Sequence, residues 1–193
     1  MRDEQESAKG QAHLYTEHLL LGAAFEESRV VGHYHGEPDA EGVWSQLGEG
    51  AVLCDVSDAL VLLLAGAPAS SFAEAAFAGR RLRVGECAFE AALTGDGSVA
   101  SVPLLARTGQ AEYVCGDLSV RSDVLDAWLG FLGSVSNDGV TPFEGLEQED
   151  ASGTHAALLL WGRASTDVLV DYVGSWTDLP ALGHVTSCML DRL

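Results

Sequence analysis

AVLCDVSDALVLLLAGAPASSFAEAA, residues 51–76, is the stretch from which we read the fold. Ala51 to Cys54 is a short apolar run that stops at Asp55. Ala59 to Ala65 is a longer run of Leu and Val between Asp58 and Gly66. Apolar runs of this length with turn residues at both ends fit buried strands; length and flanks, not periodicity, separate them from a buried helix. Pro68 then stands where a first helical turn tolerates a missing N–H, and Ser70 to Glu74 supplies helix formers behind it. We expect a strand, a turn, a second strand and a helix, with the rest of the chain packed around that unit.

Composition bounds the surroundings of this unit. The 193 residues suit one ordinary domain, 12–193, behind a polar, charged and flexible tail over 1–11. Hydrophobic residues make up 47 % and the mean hydropathy is +0.13, which is ample for a core and too apolar for general disorder. Twenty-nine acids against ten bases leave a net charge of −19. Such a surface repels phosphate backbones and anionic lipid, so we expect no nucleic-acid partner and no membrane partner. The basic cluster Arg80-Arg81-Leu82-Arg83 reads as a charged turn that guards a strand edge, or as a local patch for an anion. Cys54, Cys87, Cys115 and Cys188 lack CxxC spacing and read as small buried hydrophobes of a reducing compartment. With no secretory signal and no apolar run long enough for a bilayer, a cytoplasmic location is expected.

Working outward along the chain, Leu14, Glu17, His18 and Leu21 fall at helical spacing, closed by Gly22-Ala23-Ala24. Val30-Val31 starts a strand, Gly36 to Asp39 is a turn, and Glu41 to Gly50 is irregular or a short helix. Leu82 to Leu93, Val99 to Ala106 and Glu112 to Cys115 read as three antiparallel strands joined by turns at Thr94–Gly97 and Arg107–Gln110. Asp117 to Leu132 is the clearest helix, capped by Ser119 or Ser122. Ser134 to Ser152 reads as a long acidic loop, His155 to Trp161 as a strand, Thr166 to Val173 as a helix and Leu182 to Leu190 as a last strand.

Three clusters carry candidate chemistry. His33 and His35 share one side of an extended segment with Glu37 next in line, a weak ligand pattern that also describes a polar edge. A third ligand, His18 or His155, can join them only through the fold. Asp55-Val56-Ser57-Asp58 places Asp and Ser at the mouth of two strands, without a nearby His or a GxSxG elbow, and fits a turn whose side chains bond local backbone. Gly95-Asp96-Gly97 lacks the Lys and helix of a phosphate loop and reads as a hairpin. Trp128 and Trp161 lie on apolar faces and are expected in the core.

Taken in order, the segments resemble the folate-binding domain of the aminomethyltransferases, the glycine cleavage T-protein family. Leu14 to Phe25 is similar to that family's opening helix, with its His and later Gly-Ala. Leu53-Cys54-Asp55-Val56-Ser57 resembles its Asp-[Val/Leu]-Ser-His strand end, and Ala65 to Phe72 its Gly-x-Asp-Ala-x-x-Phe-Leu helix start. Gly85 to Leu105 takes the family's Tyr-centred strand, Gly-Gly-x-x-Asp-Asp and apolar strand without a gap, Glu112-Tyr113 the next strand, and Leu158 to Ala164 the apolar run and glycine after the long helix. The resemblance implies an α+β fold, antiparallel sheets with flanking helices, around a cavity that holds tetrahydrofolate.

Departures from the family pattern fall on the chemistry. The paired aspartates become Ser101 and Val102, and a hydroxyl cannot supply a carboxylate's charge or proton transfer beside the folate nitrogen. The strand Tyr becomes Phe89, and the Asn after the third strand is nearest to Asp117. The chain stops at Leu193, whereas family members are nearly twice as long. The expectation is therefore a shortened relative in one-carbon or methyl-group metabolism with weakened or lost aminomethyl transfer. Ser101 and Asp96 are the candidate catalytic groups; Phe89, Tyr113, Asp117 and Ser57 are the candidate contacts for folate or a related small molecule; no residue is assigned to a metal. The alternative is a non-catalytic interaction subunit, a homodimer or the companion of another chain, that completes a half-barrel by association.

Overall fold

The computed structural model describes residues 14–26, 30–173 and 179–187. The tail expected over 1–11, Cys188 and the final residues of the strand expected over 182–190 lie outside them. The described residues form five helices and eleven strands, every strand pair antiparallel, which is the α+β class expected. The chain divides into two compact units, 1–58 with 153–169 and 59–152 with 170–193.

The first unit opens on helix α1 (Tyr15–Leu20), which ends at Gly22 with φ +83°. Residues read as the close of that helix instead start strand β1 (Ala23–Glu26), paired with β2 (Val30–Tyr34). Helix α2 (Ala40–Glu49) resolves the ambiguous stretch around Trp44: the Asp39 side chain accepts from the Gly42 N–H and caps it. Strand β3 (Val52–Asp55) pairs with β11 (Leu158–Trp161), Leu53 opposite Leu160 and Asp55 opposite Leu158. Trp161, expected in the core, is 42 % exposed. Helix α5 (Ser165–Val173) follows.

The second unit is built on a five-stranded sheet in the order β10-β4-β9-β8-β5, where β4 is Leu60–Ala65, β5 Cys87–Phe89, β8 Leu104–Gly109, β9 Glu112–Asp117 and β10 Glu147–Asp150. Alternation chooses its inner face. Leu62 lies opposite Cys115 and Leu64 opposite Tyr113, all four buried. Onto that face pack helix α3 (Ala69–Ala76), through Phe72 and Ala73, and helix α4 (Ser122–Gly133), through Leu125 and Leu129. Phe72 is fully buried and meets Phe143 edge to face at 5.2 Å between ring centres. Gly66, at φ +104°, turns the chain from β4 into α3; a Cβ there would run into the Gly145 carbonyl oxygen.

Three corrections to the sequence expectations follow. The strands of residues 51–65 do not form one unit: β3 joins β11 and β4 joins β9 and β10, because Val56 N–H and Ser57 are tied to Ala157 and not to a hairpin. The stretches 82–93 and 99–106 each break in two, giving a separate hairpin of β6 (Ala92–Leu93) and β7 (Val99–Ser101). Pro103, which has no N–H to lend a ladder, marks one break. The acidic stretch 134–152, read as loop, contains β10. In the described part of 182–190, His184 forms one bridge with Glu86.

Candidate functional site

In the first unit, Ser57 is joined to partners that sequence proximity could not reveal. Asp55 Oδ1 accepts from the Ser57 N–H at 2.9 Å and from the Ser57 hydroxyl at 2.5 Å. Asp55 Oδ2 lies 2.6 Å from His18 Nε2, and His18 Nδ1 lies 2.5 Å from the Tyr34 hydroxyl. With Asp55 ionised, Nε2 carries a proton towards it, and in the neutral imidazole Nδ1 then accepts from the Tyr34 hydroxyl. Burial pushes the Asp55 carboxyl up, but the hydrogen bonds from Ser57 and His18 outweigh it and hold the group below its ordinary value. Burial, and then the negative charges of Asp55 and Glu37, raise the Tyr34 phenol. A phenol so held keeps its proton at neutral pH. The four-residue chain Ser57–Asp55–His18–Tyr34 therefore positions α1, β2 and the end of β3 and does not generate a nucleophile. His18, a candidate third metal ligand, is committed to this chain. His33 and His35 have ring centres 6.2 Å apart, and among the described residues no group of three His, Cys, Asp or Glu is placed to hold a metal ion.

In the second unit, Ser101 and Asp117 come together through Ser119, a residue considered in the sequence only as a helix cap. Asp117 Oδ1 accepts from the Ser119 N–H at 2.9 Å and Oδ2 from the Ser119 hydroxyl at 3.1 Å. Because the Ser119 proton is spent there, Ser101 donates across the 2.9 Å contact between the two hydroxyls. Ser119 Oγ also accepts from Arg121 N–H at the start of α4. Ser101 and Asp117 are both buried. Their polar atoms are thus engaged internally, and Ser101 has no base aligned to take its proton. Close to this cluster, burial and the Asp117 charge push the Cys115 thiol up to about 12.

Asp96 stands apart in the exposed Thr94–Gly97 turn. The Thr94 hydroxyl, at 2.6 Å, and the Ser98 N–H, at 3.0 Å, lower its carboxyl to about 2. Phe89 lies on the outer strand β5, 69 % exposed, opposite Leu104. Tyr113 is buried beneath the Arg107 guanidinium, whose carbon is 5.4 Å from the ring centre. Arg107 is itself buried and donates to the carbonyls of Leu82, Gly109 and Gln110 and to Ser70 Oγ. Tyr113, alone of the candidate catalytic and ligand-contact residues in this unit, lines a cavity of about 160 Å³ between α3, the arginine turn and β8–β9. Two of the three arginines of this turn are ion-paired, Arg80 with Glu86 and Arg81 with Glu74, each at 2.9 Å.

No family model and no curated protein sequence matches the chain. Solved structures do. The fold is similar to that of the glycine cleavage system aminomethyltransferase T from Bartonella henselae, with a TM-score of 0.64 and 18 % sequence identity over 89 % of this chain. The chain spans 48 % of that structure's length. The likeness is one of fold.

Proposed function

We propose that this chain is a small-molecule-binding module of one-carbon or methyl-group metabolism that takes tetrahydrofolate or a related compound and has lost aminomethyl transfer of its own. The observation that carries the proposal is the overlap of 89 % of the chain with the aminomethyltransferase structure. It accords with the ordered motifs from Leu14 to Ala164 and with the folate site that the family resemblance implies. Loss of the chemistry rests on the candidate groups themselves. Ser101 and Asp117 satisfy each other through Ser119, and Asp96 is taken up by its own turn, so none presents a free acid or base to a substrate. We place the module in the cytoplasm; among the described residues no helix is long and apolar enough to cross a membrane.

The test is a titration of the protein with tetrahydrofolate, followed by calorimetry and by fluorescence of its four tryptophans. Saturable binding in the micromolar range supports the proposal, and neither heat nor quenching at millimolar ligand refutes it. Exposed apolar side chains favour a second reading, association with a second copy. Phe89 and Leu104 face outward at the β5 end of the sheet, and Leu53 and Leu158 do so on the β3–β11 pair. A monomeric mass by light scattering at all concentrations removes that reading.

A further inference from the structure

The cavity beside Tyr113 contains a carboxyl group with no side-chain partner. Its lining is mixed: Phe77, Leu105 and the Tyr113 ring stand beside the charged Glu74, Arg80, Arg81 and Glu90. Glu90 is only 8 % exposed, yet among the described residues its carboxylate makes no hydrogen bond or ion pair. The two arginines at the rim do not serve it, since Arg80 is turned to Glu86 and Arg81 to Glu74. The other buried ion nearby, Arg107, is satisfied by carbonyl and hydroxyl oxygens. Gly79 makes room for the carboxylate, which occupies the place a Cβ would take; any larger residue there would push Glu90 aside.

The Glu90 carboxylate faces this space with no side-chain partner, and its two oxygens in one plane match two parallel N–H donors. The size of the space limits what can bring them. A cavity of about 150 Å³ holds one benzene ring, and this one, about 160 Å³, is of that size. We propose that the cavity binds a planar ring that carries an N–C–N pair of N–H donors, seated between Phe77, Leu105 and Tyr113 and held at its edge by the Glu90 carboxylate. Two kinds of molecule bring that edge: a cationic aryl amidine or guanidine, and a neutral 2-amino-4-oxo-pyrimidine ring such as that of a pterin. The net charge of −19 favours the cation's approach.

The experiment titrates benzamidine, 2-amino-4-hydroxypteridine, benzoate and toluene into the intact protein and into Glu90→Gln, by calorimetry and thermal shift. Benzamidine, the pterin or both bind the wild type; benzoate does not, and Glu90→Gln weakens binding at least tenfold. Benzamidine alone identifies the cationic source and leaves the Glu90 site standing without folate; the pterin alone identifies the neutral one. Equal binding to Glu90→Gln, or no binding of either ring at millimolar concentration, overturns the proposal. Should Glu90→Gln not fold, ring-proton NMR of the wild type decides. Shifts of Tyr113 and Phe77 on adding benzamidine or the pterin support the site, and shifts confined to other residues overturn it.

Discussion

Cutting the His18–Asp55 contact tests whether the Ser57–Asp55–His18–Tyr34 chain holds the first unit together. The contact is short, 2.6 Å, and both side chains are mostly buried, 8 % and 16 % exposed. A hydrogen bond to a charged group in such a setting contributes about 1.5–3 kcal/mol. Asp55 keeps its two bonds from Ser57 when His18 is removed, but the variant also loses the bond to the Tyr34 hydroxyl, so the figure for the Asp55 link alone is a lower bound for His18→Ala. For a chain of this length roughly 1 kcal/mol moves Tm by about 2–4 °C, which places His18→Ala about 3–12 °C below the wild type. A cycle of His18→Ala, Asp55→Ala and the double variant, followed by urea unfolding, isolates the coupling. The pH dependence has a fixed sign. The folded-state carboxyl of Asp55 is lowered, so its contribution is complete above the ordinary carboxylate range and is lost as pH falls through the lowered value. The coupling measured at pH 7 should therefore shrink at pH 3. A coupling below about 0.5 kcal/mol at pH 7, or one that survives undiminished in acid, would refute the reasoning.

Four further outcomes are expected. Phe72→Ala, in the fully buried contact with Phe143, should cost about 3–5 kcal/mol in denaturant unfolding; a loss below about 1 kcal/mol would mean that α3 does not anchor the core. Gly66→Ala should destabilise by more than about 1 kcal/mol, since it combines positive φ with a collision at the Gly145 carbonyl; unchanged stability would contradict that turn. In carbon-13 NMR the Asp96 carboxyl should titrate near 2, its contribution to the hairpin present above the ordinary carboxylate range and lost towards pH 2; a midpoint at the ordinary value would remove the Thr94 and Ser98 bonds. In a Cys188→Ser background, Cys54 and Cys87 should react with a disulfide reagent well before Cys115, whose thiol is buried and pushed up to about 12; equal rates would show that the core opens readily.

What the sequence reveals depends on how local the cause is. The apolar run ending at Ala65, Gly66 and Pro68 dictate a strand, a tight turn and a helix within a dozen residues, and all three are present. The hairpin at Thr94–Gly97 is equally local. Strand β10 is different: Glu147-Gln148-Glu149-Asp150 has poor strand propensity and no apolar alternation, and it is extended because β4 offers it a ladder. The break at Pro103 also has a local signal, the missing N–H, inside an apolar run that otherwise reads as one strand. Among candidate site residues, Ser101 and Asp117 are joined by Ser119, a neighbour visible in the sequence. The His18–Asp55 pairing bridges 37 residues, and no periodicity encodes it. The Arg80–Arg83 cluster reads as a charged turn or as an anion patch, and the partners of Arg80 and Arg81, Glu86 and Glu74, do not show in the cluster itself. Glu90 escaped notice because a single acid in an apolar stretch gives no clue that it lacks a partner.

The acidic outer strand has a colloidal consequence. Strand β10 closes one side of the five-stranded sheet, and Glu147, Glu149 and Asp150 are exposed along it. Two molecules that tried to extend their sheets into one another there would bring rows of like charge within about 5 Å. This fringe opposes edge-to-edge pairing at β10, whereas the opposite border at Phe89 is apolar and carries no such barrier. Salt screens the fringe, so haze should form at high ionic strength while the circular dichroism is still that of the native fold.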